Sequence, residues 1–278
     1  MNRLLISLVA ALLLVSCAGT GDSGADAAAL YGRIAKAVEA GDYALALQLA
    51  DSLDSAYTAD VELRRKAMPL RAKANEGVAL QRIPLVEGAI ADAMTVLDQY
   101  GPEMVKVGEG AEYYMVPAGW PGLRDVRHTG IEPRVDSNAN FRIVLKSTGK
   151  SIGLNAMRLS VGGTSVSSVP ADASRVAVLN DSEMLSLTQE ESAALVEWLR
   201  SHGSEPQLKA ELVGTAGATT VQLTPAMAAR LVQAWDFAMA QQQIVRLTAE
   251  RSKLEKQLQI ARDQQARLLI DNASDDRY

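Results

Sequence analysis

Phe141-Arg142-Ile143-Val144-Leu145-Lys146 and Ala156-Met157-Arg158-Leu159-Ser160-Val161 place their polar side chains, Arg142 and Lys146, Arg158 and Ser160, an even number of residues apart among apolar ones. A period of two is the mark of a strand with one buried face. Met104–Val107, Tyr113–Val116, Thr164–Val169 and Arg175–Leu179 read the same way, and Gly162-Gly163 between two of these runs is a hairpin turn signal. Leu208–Val213 and Thr219–Leu223 add a last hairpin around Ala216-Gly217. Residues 103–223 therefore form a β-rich domain. One helix interrupts it: Thr188-Gln189-Glu190-Glu191 is a capping box that opens a helix over roughly 189–201.

Both flanks of this domain are helical. On the N-terminal side, Leu63, Ala67 and Leu70, then Ile83, Val86, Ile90, Ala93 and Leu97, recur at steps of three and four over residues 60–99. Pro69 and Pro84 each remove a backbone donor, which predicts kinks or short breaks there, and Gly101-Pro102 ends the helix. On the C-terminal side, Thr224-Pro225 is a cap followed by proline at the first helical position. With Phe237 as an a position, the a sites are Phe237, Ile244, Arg251, Leu258 and Gln265, and the d sites are Ala240, Leu247, Leu254, Ala261 and Leu268. That heptad grammar predicts a helix over 224–270 that needs a partner to cover its stripe. The helix before the insert offers one. The fold expected is α+β: a helical hairpin and first stalk helix at 27–102, the insert at 103–223, and a second, antiparallel stalk helix at 224–270, with a polar tail at 271–278.

Composition narrows the classes of function. The chain has 278 residues, 28 Lys+Arg against 33 Asp+Glu, 48% apolar residues and 4% aromatics. These are the proportions of a globular protein with a real core, not of a disordered chain. An acidic chain without a basic run has no electrostatic footprint for a nucleic acid, so none is expected as partner. Two histidines, His128 and His202, and one cysteine give no spacing for a metal centre. No nucleophile elbow, phosphate loop or dinucleotide fingerprint occurs, and Gly108-Glu109-Gly110 lacks the third glycine and the helix of such a motif. His202 falls at a helix C-terminus, where the dipole favours a cation. His128, in Asp125-Val126-Arg127-His128-Thr129, has no companion nucleophile. Catalytic residues, metal and cofactor are accordingly all expected to be absent.

Residues 1–16 start with Met1-Asn2-Arg3, run through the apolar Leu4–Leu14 and reach Val15-Ser16. A positive start, a short apolar run and a small residue before the cut make a secretory signal peptide, and the run is too short to span a bilayer. Leu14-Val15-Ser16-Cys17 resembles the lipobox of bacterial lipoproteins. The resemblance implies that Cys17 becomes the lipidated first residue, and Cys17 is the chain's only cysteine. Removal of Arg3 leaves 27 basic side chains against 33 acidic ones, so acyl chains rather than charge would hold the protein at a membrane. Residue 18 is Ala, not the Asp that retains enteric lipoproteins at the inner membrane. By that resemblance the cell envelope is the address and the outer membrane is favoured, with periplasmic and surface-facing orientations both open.

Residues 17–26 are small, polar and glycine-rich and read as a flexible tether. Beyond it, Ala40-Gly41-Asp42-Tyr43-Ala44-Leu45-Ala46-Leu47 is similar to the turn and second helix of a tetratricopeptide repeat. One copy is too few for a solenoid, so a helical hairpin docked on the next helix is expected. The layout, with Val61–Ala67 and Leu254–Leu258, resembles a group of envelope lipoproteins of Bacteroides-like bacteria, a resemblance that implies no activity. Two functions follow as expectations. One is a non-enzymatic envelope scaffold with a protein partner. The other is a small-ligand or glycan-binding module that uses Tyr113, Tyr114 and Trp120, which lie within eight residues beside Pro117 and Pro121. Rigid aromatics suit recognition, yet a β-domain also needs large side chains inside.

Overall fold

The computed structural model describes residues 23–110, 112–123 and 128–275. The expected signal peptide, Cys17 and the first part of the expected tether lie outside them. The chain is α+β, with helices around a β-rich insert, and it divides into two compact units: residues 1–83 with 254–278, and residues 84–253.

The first unit is helical. α1 (Ser23–Glu39) and α2 (Tyr43–Ala56) form a hairpin. At the turn Gly41 has φ +74°, a conformation that suits glycine, and the Asp42 carboxylate accepts the Leu45 amide at 3.2 Å to cap α2. α1 begins four residues before the expected Ala27. Asp26 lies in its first turn, where a negative charge meets the helix dipole, and the alanines that follow are strong helix formers. α3 (Val61–Tyr100) is continuous through Pro69 and Pro84, so the breaks expected there do not occur. Around Pro69 the helix is held by the buried Ala67, Ala72 and Ala74, and that packing offsets the lost hydrogen bond. Tyr43 of α2 seats its ring on Gly77 of α3, where a Cβ would lie 2.2 Å from the ring. The hairpin therefore docks on the next helix, through a glycine that gave no turn signal. Arg64 and Arg71 of α3 pair with Asp54, and Arg71 also with Asp51, on the same junction. Glu76 of α3 accepts from Arg262 at 3.0 Å and Gln265 at 2.8 Å of α5 (Pro225–Asp275), so both long helices contribute to this unit.

The second unit holds both sheets. Six strands run in the order β1 (Met104–Val107), β2 (Tyr114–Pro117), β3 (Gly130–Asp136), β4 (Phe141–Thr148), β8 (Ser182–Leu187) and β7 (Ala177–Leu179). Four more run β10 (Gly217–Val221), β9 (Lys209–Gly214), β5 (Leu154–Val161) and β6 (Thr164–Ser167). All pairings are antiparallel. The core joins Phe141, Ile143, Leu145, Leu185 and Leu187 of one sheet to Met157, Leu159 and Leu212 of the other. Leu195 and Leu199 of α4 (Gln189–His202), and Leu231, Ala234 and Phe237 of α5, complete it, with Leu97 and Tyr100 of α3 packed against it.

Thr188 and Glu191 form the capping box reciprocally, Gly162-Gly163 turn with φ +54° and +86°, and Thr224 caps α5 through the Met227 amide at 3.2 Å. Two strands, β3 and β8, carry no expectation from sequence. β3 contains Pro133, but β2 pairs only with Val135 and Asp136, so the strand has a locally open side where a residue without N–H is tolerated. β8 follows Asn180-Asp181, both at positive φ, the two-residue turn that suits a hairpin with β7. The a and d sites of α5 from Phe237 to Leu268 are all buried or half-buried, as the heptads require. The helix persists to Asp275, five residues into the expected tail, because no Gly or Pro intervenes.

Candidate functional site

β3 and β4 present one face to the core and the other to the segment after β2. On that second face Glu132 stands opposite Val144, Arg134 opposite Arg142 and Gly130 opposite Lys146. Glu132 and Lys146 are each only 4% exposed. A charge so deep costs several kcal/mol of lost hydration (about 3–5 if its partner is removed), so it must be compensated in place. Glu132 accepts the Leu123 amide at 3.1 Å and Arg134 Nε at 2.6 Å. Lys146 donates to the Leu123 carbonyl at 3.0 Å. The two charges thus grip both backbone groups of one loop residue. The Trp120 indole donates to the Ile131 carbonyl at 2.7 Å, and its ring belongs to the core.

This geometry decides where the aromatic patch goes. Trp120 is 8% exposed, while Tyr113 and Tyr114 are half-buried. Lys106 Nζ lies 4.1 Å from the Tyr113 ring centroid, and Arg134 Cζ lies 4.2 Å from that of Tyr114. One face of each tyrosine ring is occupied by a cation, and such contacts are worth about 0.5–2 kcal/mol. The three rings therefore do not share one open platform. Trp120 is a core residue that pins the 118–123 segment to β3.

Glu183 of β8 plays the corresponding role elsewhere. It takes the amides of Ile152 at 3.0 Å, Gly153 at 3.1 Å and Leu154 at 3.3 Å, together with the Ser151 hydroxyl. Burial pushes its carboxyl up, but the Ser151 and amide hydrogen bonds outweigh burial and hold it below the ordinary carboxylate range. Gly214 lies against the same loop, where a Cβ would be 2.2 Å from the Ile152 carbonyl. At the start of α4, the Arg175 guanidinium beside Glu191 lowers that carboxyl to about 2 against the opposition of burial, and the Thr188 amide adds to the lowering.

The four-stranded sheet also presents a polar depression to solvent. Arg158 stands opposite Glu211 and donates to it twice, at 2.9 and 2.7 Å, and Ser160 stands opposite Lys209. With Gln207 they border a depression of about 520 Å³. It has hydroxyls and charges but no ring. His202 stacks on Trp198 at 4.4 Å between centroids with Nδ1 3.1 Å from the Trp198 carbonyl, at the C-terminus of α4. His128 is exposed beside Gly130, and its carbonyl accepts from Thr148 at 3.4 Å.

Sequence reasoning did not find Glu132, Lys146 or Glu183. The signal available is a charged side chain inside a strand beside an apolar residue: Ile131 for Glu132, Leu145 for Lys146 and Met184 for Glu183. Among the described residues no group of three His, Cys, Asp or Glu is arranged to hold a metal ion, and no helix is long and apolar enough to cross a membrane. The lipidation candidate Cys17 lies outside the described residues. Comparison with protein-family models, with curated proteins and with solved structures finds no match.

Proposed function

We propose that the chain is a non-enzymatic envelope lipoprotein, anchored through lipid on Cys17, whose β-rich unit is an interaction scaffold for another envelope protein. The observation that carries the reading is Leu14-Val15-Ser16-Cys17, placed after a short apolar run and containing the chain's only cysteine. Two or more acyl chains give durable anchoring, each buried CH₂ contributing about 0.8 kcal/mol. The interior of the second unit supports a scaffold over an aromatic ligand site: Trp120 is sealed against β3, and Lys106 and Arg134 each occupy one face of a tyrosine ring. Glu132, Lys146 and Glu183 support it over catalysis, since each is buried and hydrogen-bonded to backbone groups that it holds in place.

The test has two arms. Cys17→Ser should move the protein from the membrane to the soluble fraction, and persistence at the membrane would overturn the lipid anchor. Cross-linking in intact envelopes followed by purification should recover a defined envelope protein joined through residues of 84–253. Recovery of the chain alone would overturn the scaffold.

A further inference from the structure

Resting on the lipid anchor just proposed, we infer that the corner between α2 and α3 is a lipid-contacting surface, in which Val61 and Met68 enter the interface of the bilayer that carries Cys17. Covalent reach sets the frame. Ser23, the first residue of α1, follows Cys17 by six residues, and six residues span at most about 22 Å. The start of α1 is thus confined close to the headgroups. The structure shows what shares that end of the helical unit: Gly24 borders the same depression, about 470 Å³, as Tyr57, Asp60, Val61 and Glu62 of the corner. The other end of α1 is about 24 Å away at 1.5 Å per residue.

Two large apolar side chains of the corner face solvent among charged neighbours. Val61 is 65% exposed and Met68 55%. Spaced by seven residues they lie on one face of α3, with Arg65 at the intervening fourth position. An arginine there suits a bilayer interface, since its stem lies along apolar surface while the guanidinium reaches the headgroups. Charge complementarity is not the driving force. Arg65 has Glu62 at 3.7 Å and Arg64 has Asp54 at 3.0 Å, which leaves little net basic field. The contact is therefore apolar and tolerates salt.

The test uses the full lipidated chain in vesicles of phosphatidylcholine and phosphatidylethanolamine. Once Cys17 carries lipid on its sulfur, Val61→Cys supplies the single free thiol for an environment-sensitive fluorophore. Met68→Cys and Ala40→Cys supply a second site on the surface and a reference at the far end of α1. All three positions are exposed, so the fold should tolerate the label. Expected are blue-shifted emission and about twofold or greater quenching by spin-labelled lipid at residues 61 and 68 relative to residue 40, unchanged in about 0.5 M salt. Equal quenching at all three sites, or emission at 61 and 68 typical of water, overturns the proposal. Vesicle flotation of the same samples reads the anchor separately. Failure to float overturns the lipid anchor and this inference with it, whereas flotation without quenching overturns the inference alone.

Discussion

The two units are stabilised by different physics. In the helical unit, six of the ten residues in the buried cluster are alanine, so helices approach closely but little apolar area is removed from water. In the β-rich unit, only four of twenty-five are alanine, and Phe141, Leu145, Met157 and Leu185 are almost completely buried. Polar groups divide the same way. Arg64 and Arg71 meet Asp51 and Asp54 in half-exposed pairs, whereas Glu132, Lys146 and Glu183 are inside and hold loops by their backbone. Substitution should therefore affect the two units differently. A buried charge that organises amides cannot be removed cheaply, and an exposed pair can.

The largest effect is expected at Glu183. Glu183→Ala leaves the Ile152, Gly153 and Leu154 amides without their acceptor and should cost the β-rich unit about 3–5 kcal/mol, read as a fall in urea midpoint of the lipid-free Cys17→Ser chain. A loss below about 1 kcal/mol would mean that water replaces the carboxylate and that the buried charge is not the organiser.

Gly77→Ala is expected to cost about 1–3 kcal/mol, because its Cβ must displace the Tyr43 ring. Hydrogen exchange should accelerate in α1 and α2 and stay unchanged in β3, β4 and β8. Acceleration in the strands as well would erase the distinction between the units.

The pair of Arg175 and Glu191 sharpens the comparison by its pH dependence. The Glu191 carboxyl is held at about 2, below its ordinary 4.5, so its contribution is complete above about pH 4.5 and is lost as pH falls toward 2. Glu191→Gln should therefore cost about 1–3 kcal/mol at pH 7, with the gap to the unsubstituted chain closing between pH 4.5 and 2. A gap independent of pH would assign the effect to the cap geometry rather than to the charge.

The smallest effect belongs to Arg71→Ala in the helical unit, about 1 kcal/mol or less and reduced by salt, since Arg71 and its partners are partly solvated. A salt-independent loss comparable to that of Glu183→Ala would contradict the contrast.

What was legible in the sequence follows the range of the interaction concerned. The capping box and the Gly162-Gly163 hairpin are local patterns whose partners lie within a few residues, and the α5 heptads are a local period that marks a buried stripe without naming what covers it; all three appear where the pattern places them. β3 was hidden by Pro133, which reads as a breaker until the short reach of β2 is known. Glu183 was hidden because the amides it binds are about thirty residues upstream. The seat of Tyr43 on Gly77 is equally non-local: a glycine inside a helix gives no hint of the ring packed on it. For the aromatic patch the residues could be read but not their side: Tyr113, Tyr114 and Trp120 suit a core more than a surface by composition, and only the hydrogen bond from Trp120 to Ile131 places Trp120 inside.

The β-rich unit owns a complete core, assembled from both sheets, α4 and the adjoining ends of α3 and α5. The direct measurement is the amide spectrum and urea unfolding of residues 84–253 alone. Dispersed amide resonances and one cooperative transition are expected, retained without residues 1–83 and 254–278. A spectrum collapsed into the range of a disordered chain would contradict it, and would place the missing part of the core in the helical unit.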